Sequence, residues 1–307
     1  MGRFPSCRIR NRPETPLQKN TSTGRQHKDY NMTQTSIIEK FDNIIKIGTT
    51  LGENWFRGHS RIIKELTPGI YRKPYSSRIY REFRPDIEFQ FAEDFKRKAP
   101  SIATNLPNND NHIEWLFLMQ HHGVPTRLLD WTENILIATF FVVDSDLDKD
   151  GELWTFLPWQ LNESHGFYGL PSNSKNKTLQ FLSHEIFHDN PEKLREEYGL
   201  SDTPKAPMAF LPPLMHPRMN AQQSCFTIHP HPQKGYSIPE LIPSNRYLMR
   251  YIIPKNLKKT FRSNLNNLGI THRTIFPDLV GLAKSLKDKE SVLAWGQPDP
   301  LIFKEYE

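Results

Sequence analysis

The chain has 307 residues, with 40 Lys and Arg against 34 Asp and Glu for a formal charge of +6 at pH 7. Residues 1–31 hold seven of those cations and two of the acids, five of the six net charges, so a globally basic nucleic-acid-binding domain is not supported. With 36% hydrophobic residues, two cysteines (Cys7 and Cys225), no apolar leader and no run long enough to span a bilayer, the composition excludes a disulfide framework, a cysteine zinc site and a membrane helix.

The length fits one large domain or two ordinary ones, and 19 Phe, 10 Tyr and 6 Trp supply large apolar groups for a core among polar, Pro-rich loops. Residues 1–31 are rich in Pro, Thr, Asn, Gln and Arg and read as a disordered basic tail. Three readings stand for that tail: a contact for nucleic acid, a mis-assigned start with the true one at Met32, or a solvated extension. The expected organisation is therefore 1–31 as tail and 32–307 as one domain with its core at about 50–285. The protein is expected to be cytoplasmic, with no membrane partner.

Ser36 to Gly48 places Ile37, Ile38, Phe41, Ile44 and Ile45 on one face and predicts an opening helix, capped by Thr35 or Ser36. Asn54 to His59 predicts a short aromatic strand, and Leu66 to Arg72 an extended turn. Residues 86–99 predict a helix with Ile87, Phe91 and Phe95 four apart, ended by Pro100. Asn111 to Gln120 predicts another helix. Asp130 then reads as an N-cap, with Glu133 three residues on, for a helix over Ile135 to Val143. Glu152 to Leu157 predicts a strand. Residues 158–217 read as a long polar insert with one helical piece at Phe181 to His188 and an extended Pro-rich end. Gln223 to His229 and Tyr247 to Ile253 predict strands, Asn256 to Leu268 a polar helix, and Pro277 to Leu286 a last short helix. The sum is an α+β fold: a single mixed domain with a small central sheet flanked by helices, loop-rich, behind a disordered tail.

Gln120 to Thr132 gathers His121, His122, Gly123, Pro125, Arg127, Asp130 and Trp131 between two apolar segments, at the edge of a core where sites are usually found. Adjacent histidines point in different directions, and a metal pair prefers helical i, i+4 spacing, so no metal site is assigned. His122 is a candidate general base, with a structural histidine as the plain alternative. Arg127 either pairs with Asp130 three residues on or binds an anion beside Thr126. Asp130 is either a cap or a catalytic carboxylate, and the Thr132 hydroxyl at a helix N-terminus suits a phosphate. Trp131 reads as core, with a base-stacking platform as the alternative. In Arg57-Gly58, a guanidinium beside a residue with no side chain lets a phosphate or carboxylate approach, against the plain reading of a surface arginine and a turn glycine. Arg218 and Gln222 cluster with Gln223 at a strand start. The candidate catalytic set is His122, Asp130 and Gln222, and the candidate anion-binding set is Arg57, Gly58, Thr126, Arg127, Thr132 and Arg218. Glycosidase carboxylate pairs, a Walker loop, a nucleophile elbow and a Rossmann fingerprint are absent.

Taken in order, these blocks resemble the FRG domain, named for an aromatic-Arg-Gly motif. The resemblance is carried by Phe56-Arg57-Gly58 with Leu66, Pro68 and Arg72, then by Gln120 to Thr132 with Ala138 and Phe140-Phe141. Arg218 with Gln222-Gln223 and Phe226-Thr227, and lastly Phe276-Pro277-Asp278-Leu279, complete it over about residues 50–285. Ser224 stands where the family usually has Gly, and Val280 where it often has Asp. The resemblance implies a protein of bacterial or phage type, with phage defence or toxin biology as its setting, and assigns no reaction. A fainter resemblance links the aromatic-Arg-Gly strand and the following strand-turn-helix to ADP-ribosyltransferases. It implies NAD as a substrate held by Arg57, with Gln222 or Gln223 where that superfamily has a glutamate.

The leading expectation is a nucleotide-using transferase of the NAD type, with no cofactor assigned beyond that substrate. The alternatives are a general-base or metal-dependent hydrolase or nuclease acting through His121, His122, Asp130 and Asp278, and a non-catalytic nucleotide or nucleic-acid module that clamps phosphate with Arg57, Arg127 and Arg218.

Overall fold

A computed structural model describes residues 35–63, 66–72, 85–167, 169–171, 176–188, 190–231 and 248–295. The expected tail over 1–31 lies outside them. Seven strands form one sheet: β1 Thr35–Ile37, β2 Trp55–His59, β3 Leu128–Thr132, β4 Gly151–Phe156, β5 Met208–Phe210, β6 Ser224–Ile228 and β7 Leu248–Ile253. Their spatial order is β1-β7-β4-β2-β3-β6-β5, antiparallel throughout except for β1 beside β7. Helices cover the sheet: α1 Phe41–Thr50, α2 Pro85–Lys98, α3 His112–His121, α4 Ile135–Val143, α5 Pro158–Ser164, α6 Lys177–His184, α7 Pro191–Glu197, α8 Pro217–Ala221, α9 Lys258–Asn267, α10 His272–Ile275 and α11 Leu279–Trp295. This is the α+β single domain that the sequence predicts.

Alternation along the strands sorts the core. On one face, Leu128, Phe226, Ile228, Met208 and Phe210 pack with Leu116 and Phe117 of α3 and Leu179, Phe181 and Leu182 of α6. Further along the same face, Phe56, Leu153 and Ile253 pack with Ile44 of α1, with Ile137, Ala138 and Val142 of α4, and with Phe261 and Leu265 of α9. The opposite face holds Trp55, Trp131, Trp154 and Phe156 with Leu129 and Leu161. Each Val, Leu, Ile, Met or Phe among them stabilises the fold by about 1.5–3 kcal/mol when fully buried. The helix-bearing face is thus covered by two groups, one around α3 and one around α4, and they meet over β2 and β3.

That meeting line is also where the sheet is weakest. β2 pairs with β4 over five residues and β3 with β6 over five, but β2 and β3 share one pair, Phe56 with Thr132. Beyond it the ladder opens. Gly58 lies in the open stretch, and a Cβ there would come within 1.9 Å of the Ala138 carbonyl of α4. Gly58 is therefore a packing glycine: its missing side chain lets α4 rest directly on the strand.

Four expectations are corrected. The segment before Phe41 is not helical, because Thr35 to Ile37 add a parallel strand to β7 and the Ile38 amide donates to the Ile252 carbonyl at 2.8 Å. Sheet pairing outweighs the helical spacing of its isoleucines, and α1 starts at Phe41. Asp130 is no helix cap: it lies inside β3, and Asn134, whose side chain accepts from the Leu136 amide, caps α4. The insert over 158–217 carries α5, α6, α7 and β5 and supplies much of one core cluster. The last helix runs on past Leu286 to Trp295.

Arg127 is corrected too. It makes no pair with Asp130, and its side chain is fully buried. Nη2 meets Glu88 Oε2 at 2.8 Å, Nη1 meets Glu185 Oε2 at 2.7 Å, and Nη1 also donates to the Leu182 carbonyl. Burial opposes the charge, but Glu88, Tyr71 and Glu185 outweigh it and hold the guanidinium above its ordinary pKa. The residue clamps α2 and α6 to the start of β3 and faces no solvent. Breaking such a buried pair costs about 3–5 kcal/mol, since the remaining charge is left uncompensated. Arg127→Met is expected to lower the unfolding free energy by about that amount in chemical denaturation; a change within about 0.5 kcal/mol would refute the clamp.

Candidate functional site

A cleft of about 250 Å³ opens at the parting of β2 and β3, lined by Arg57, Gly58, Gln120, Asp130, Thr132, Ala138, Phe141, Arg218, Gln222 and Ser224 among others. A second, of about 330 Å³, adjoins it and is lined by Gly69, Arg72, Gly123, Val124 and Pro125 with Arg57, Gln120 and Asp130. Arg57, Gln120 and Asp130 line both, so they form the waist of a two-lobed cleft.

Arg57 alternates onto the tryptophan face of the sheet, yet its guanidinium reaches across the open ladder. Nη1 donates to the Asp130 backbone carbonyl at 2.5 Å and stands 3.6 Å from the Asp130 carboxylate. The side chain thus satisfies a carbonyl on the strand that β2 fails to pair. Nε donates to His59 Nε2 at 2.9 Å. With Nε2 accepting, the His59 proton is on Nδ1, which faces Glu152 Oε1 at 3.3 Å. Glu152 is fully buried and also accepts from the Ile63 amide and from Arg250 Nε at 2.9 Å. Burial pushes His59 down to about 4, so it is neutral at pH 7 and free to accept. Burial also lowers Arg57, to about 10, with Asp130 only partly offsetting it and Arg72 adding repulsion. Arg57 Nη2 has no hydrogen-bond partner among the described residues.

On the other side of the waist, the Thr126 hydroxyl donates to Gln120 Oε1 at 2.6 Å, which turns Gln120 Nε2 onto Asp130 Oδ2 at 2.9 Å. Thr126 is completely buried and so positions Gln120 instead of touching an anion. The Thr132 hydroxyl donates to the Gln222 carbonyl at 2.7 Å and accepts from the Asn134 amide at 3.1 Å. It ties α8 to β3 and has no capacity spare for a phosphate. Gln222 caps the end of α8, and its Nε2 donates to the Ile275 carbonyl at 3.3 Å. The Arg218 guanidinium lies 4.7 Å over the Phe276 ring and makes no hydrogen bond with the described residues.

Of the nine candidates, Arg57, Gly58, Asp130, Thr132, Arg218 and Gln222 line one lobe. His122 does not: it caps α3, is exposed, and packs near Phe95 at 6.3 Å. His121 stacks on His216 at 4.7 Å, just ahead of α8, and burial lowers its pKa. Thr126 and Arg127 are buried outside both lobes, Arg127 in its glutamate pair. Among the described residues no group of three His, Cys, Asp or Glu is placed to hold a metal ion. Gln120, His59 and Glu152 were not among the candidates. Gln120 carried a signal, as the polar residue that opens the segment from Gln120 to Thr132; the roles of His59 and Glu152 depend on the β2–β4 register, which a single sequence does not display.

An α+β domain whose arginine-bearing central strand parts from its neighbour over a cationic cleft is the class that fold and site define. Within the chain, residues 52–151 match the family model of the FRG domain. The protein carries an FRG domain, whose match takes in Arg57, Gly58, Gln120, Asp130, Thr132 and Ala138; Arg218, Gln222 and Phe276 lie beyond it. No curated protein and no solved structure matches the chain. No helix among the described residues is long and apolar enough to cross a membrane.

The His59 geometry sets a pH test. Unfolded, His59 takes a proton near 6.5; folded, it holds out to about 4. A depressed pKa contributes stability that is complete above 6.5 and is lost as pH falls toward 4, at up to about 1.4 kcal/mol per pH unit. Denaturation at pH 7 and pH 5 is expected to show a smaller loss in His59→Gln than in the parent, and nitrogen-15 spectra should show Nε2 unprotonated at both. A protonated Nε2 at pH 7 would reverse the assignment.

Proposed function

We propose that the two-lobed cleft is the nucleotide site of an NAD-type transferase resembling the ADP-ribosyltransferases. The observation that carries this reading is the meeting of Arg57 and Arg218 in one lobe, with Nη2 of Arg57 and the whole guanidinium of Arg218 making no hydrogen bond to the described residues. Two cations that share the single carboxylate of Asp130 suit the oxygens of a phosphate, which a guanidinium grips with its N–H groups. Arg57 is the better placed, because its Nε and one Nη are already held by His59 and Asp130 and little freedom is lost on binding.

The chemistry follows from what lines the waist. Transfer from a dinucleotide breaks the bond between a ribose carbon and its leaving base; the base departs with the bonding pair and an acceptor nucleophile then bonds that carbon. Positive charge grows on the ribose, and the half-exposed Asp130 carboxylate is the group that offsets it. Gln120 and Arg57 hold that carboxylate in place, and Gln222, one of the two glutamines that stand where the resemblance puts a glutamate, contributes an amide.

Calorimetry with NAD is expected to detect binding that Arg57→Ala weakens at least tenfold, about 1.4 kcal/mol, and that Arg57→Lys does not restore. Asp130→Asn should retain binding and lose turnover, read as release of nicotinamide. Absence of NAD binding to the parent would end the proposal. The amide of Gln222 favours one second reading, a nucleotide-binding module without transfer, and tight binding by the parent with no nicotinamide released would support it.

A further inference from the structure

The Arg72 lobe is not used by Arg218 or Gln222, yet it shares Arg57, Gln120 and Asp130 with theirs. We propose that it is a second anion subsite headed by Arg72, so that a ligand with a diphosphate lies across the waist, one phosphate toward Arg72 and the other toward Arg57 and Arg218, with a nucleoside-sized group in each lobe. The nucleoside part of this assignment rests on the reading of the cleft as a nucleotide site.

Three observations support it. Arg72 Nε donates to the Thr67 carbonyl at 2.7 Å, which fixes the plane of the guanidinium, and its terminal nitrogens have no partner among the described residues. Three arginines thus line the two lobes, and Asp130 is the one carboxylate among the residues lining either. The excess of two positive charges at the waist and its flanks calls for more than one phosphate. The volumes agree: at about 250 and about 330 Å³ each lobe alone is at or below the lower end of small-molecule sites, and the pair falls within their range of roughly 300–1,000 Å³.

Two glycines line the second lobe. Gly69 lies against Pro125, where a Cβ would sit 3.4 Å from the Pro125 Cα. Gly123 takes φ +81°, a backbone that side chains resist, and faces open space. The two glycines add no side chain to a lobe whose apolar wall is Val124, Pro125, Leu128 and Leu129. A ribose or base face fits such a wall, while the phosphate end meets Arg72.

Titration calorimetry with inorganic phosphate, pyrophosphate, AMP, nicotinamide mononucleotide and NAD tests this on the full chain. Pyrophosphate is expected to bind at least tenfold more tightly than phosphate, and NAD more tightly than either mononucleotide. Arg72→Ala should weaken pyrophosphate and NAD about tenfold or more while changing one of the two mononucleotides by less than twofold; Arg218→Ala should show the complementary pattern. If pyrophosphate binds no better than phosphate and Arg72→Ala is silent, the subsite is overturned, whatever the nucleotides do. If the pyrophosphate results hold and no nucleotide binds, the subsite stands and the nucleotide reading falls. Circular dichroism and thermal midpoints of both variants matching the parent exclude misfolding; should Arg72→Ala misfold, Arg72→Gln, which keeps a donor without the charge, carries the same comparison.

Discussion

One guanidinium bridges the place where the sheet comes apart. β2 and β3 share a single residue pair, and past it the Arg57 side chain supplies to the Asp130 carbonyl the donor that a continued ladder would have given. Backbone polar groups in a protein interior must be paired, so an opening of this kind needs such a substitute. Everything else at the site is arranged around it. His59 and Glu152 orient the arginine from one side, Gln120 and Thr126 orient the aspartate from the other, and the space left between the strands is the cleft.

The two helical groups on that face come from different stretches of chain, and their separation keeps the cleft open. One is built on α2, α3 and α6 and is clamped by the buried Arg127, Glu88 and Glu185. The other is built on α1, α4, α9 and α10, where His272 sits between Asp144 at 2.6 Å and Asp288 at 2.7 Å and fixes α10 to the end of α4 and to α11. That anchoring brings Phe276 beneath Arg218 and the Ile275 carbonyl to Gln222. Two fixed blocks with a single strand pair between them make a groove by default.

Much of this was legible in the sequence, with a consistent boundary to what was not. Elements whose spacing and stops agree with their tertiary setting, such as α3, α4, β4 and β6, were legible to within a residue or two. The misreadings at Thr35–Ile37 and at Asp130 share a cause: local signals, isoleucines at helical spacing and an acidic residue ahead of a helix, were overruled by sheet partners more than ninety residues away. Of the residues singled out in the sequence, Arg57, Gly58, Asp130, Thr132, Arg218 and Gln222 come together along one lobe: five carry a polar group, and Gly58 stood out as the gap beside Arg57. Arg127 shares that signature and serves packing, because the glutamates that absorb its charge lie thirty-nine and fifty-eight residues away. Charge alone does not tell a ligand arginine from a structural one; the partners do.

The contact between Gly58 and Ala138 bears on how closely α4 and β2 are tied. Most helices ride on sheets over a cushion of side chains that absorb small displacements by changing rotamer. Here the α4 backbone touches the strand itself, one residue from Arg57. No side chain lies between the α4 carbonyl at Ala138 and Gly58, the neighbour of Arg57. The position of α4 and the position of the backbone that carries Arg57 are in this way one and the same constraint.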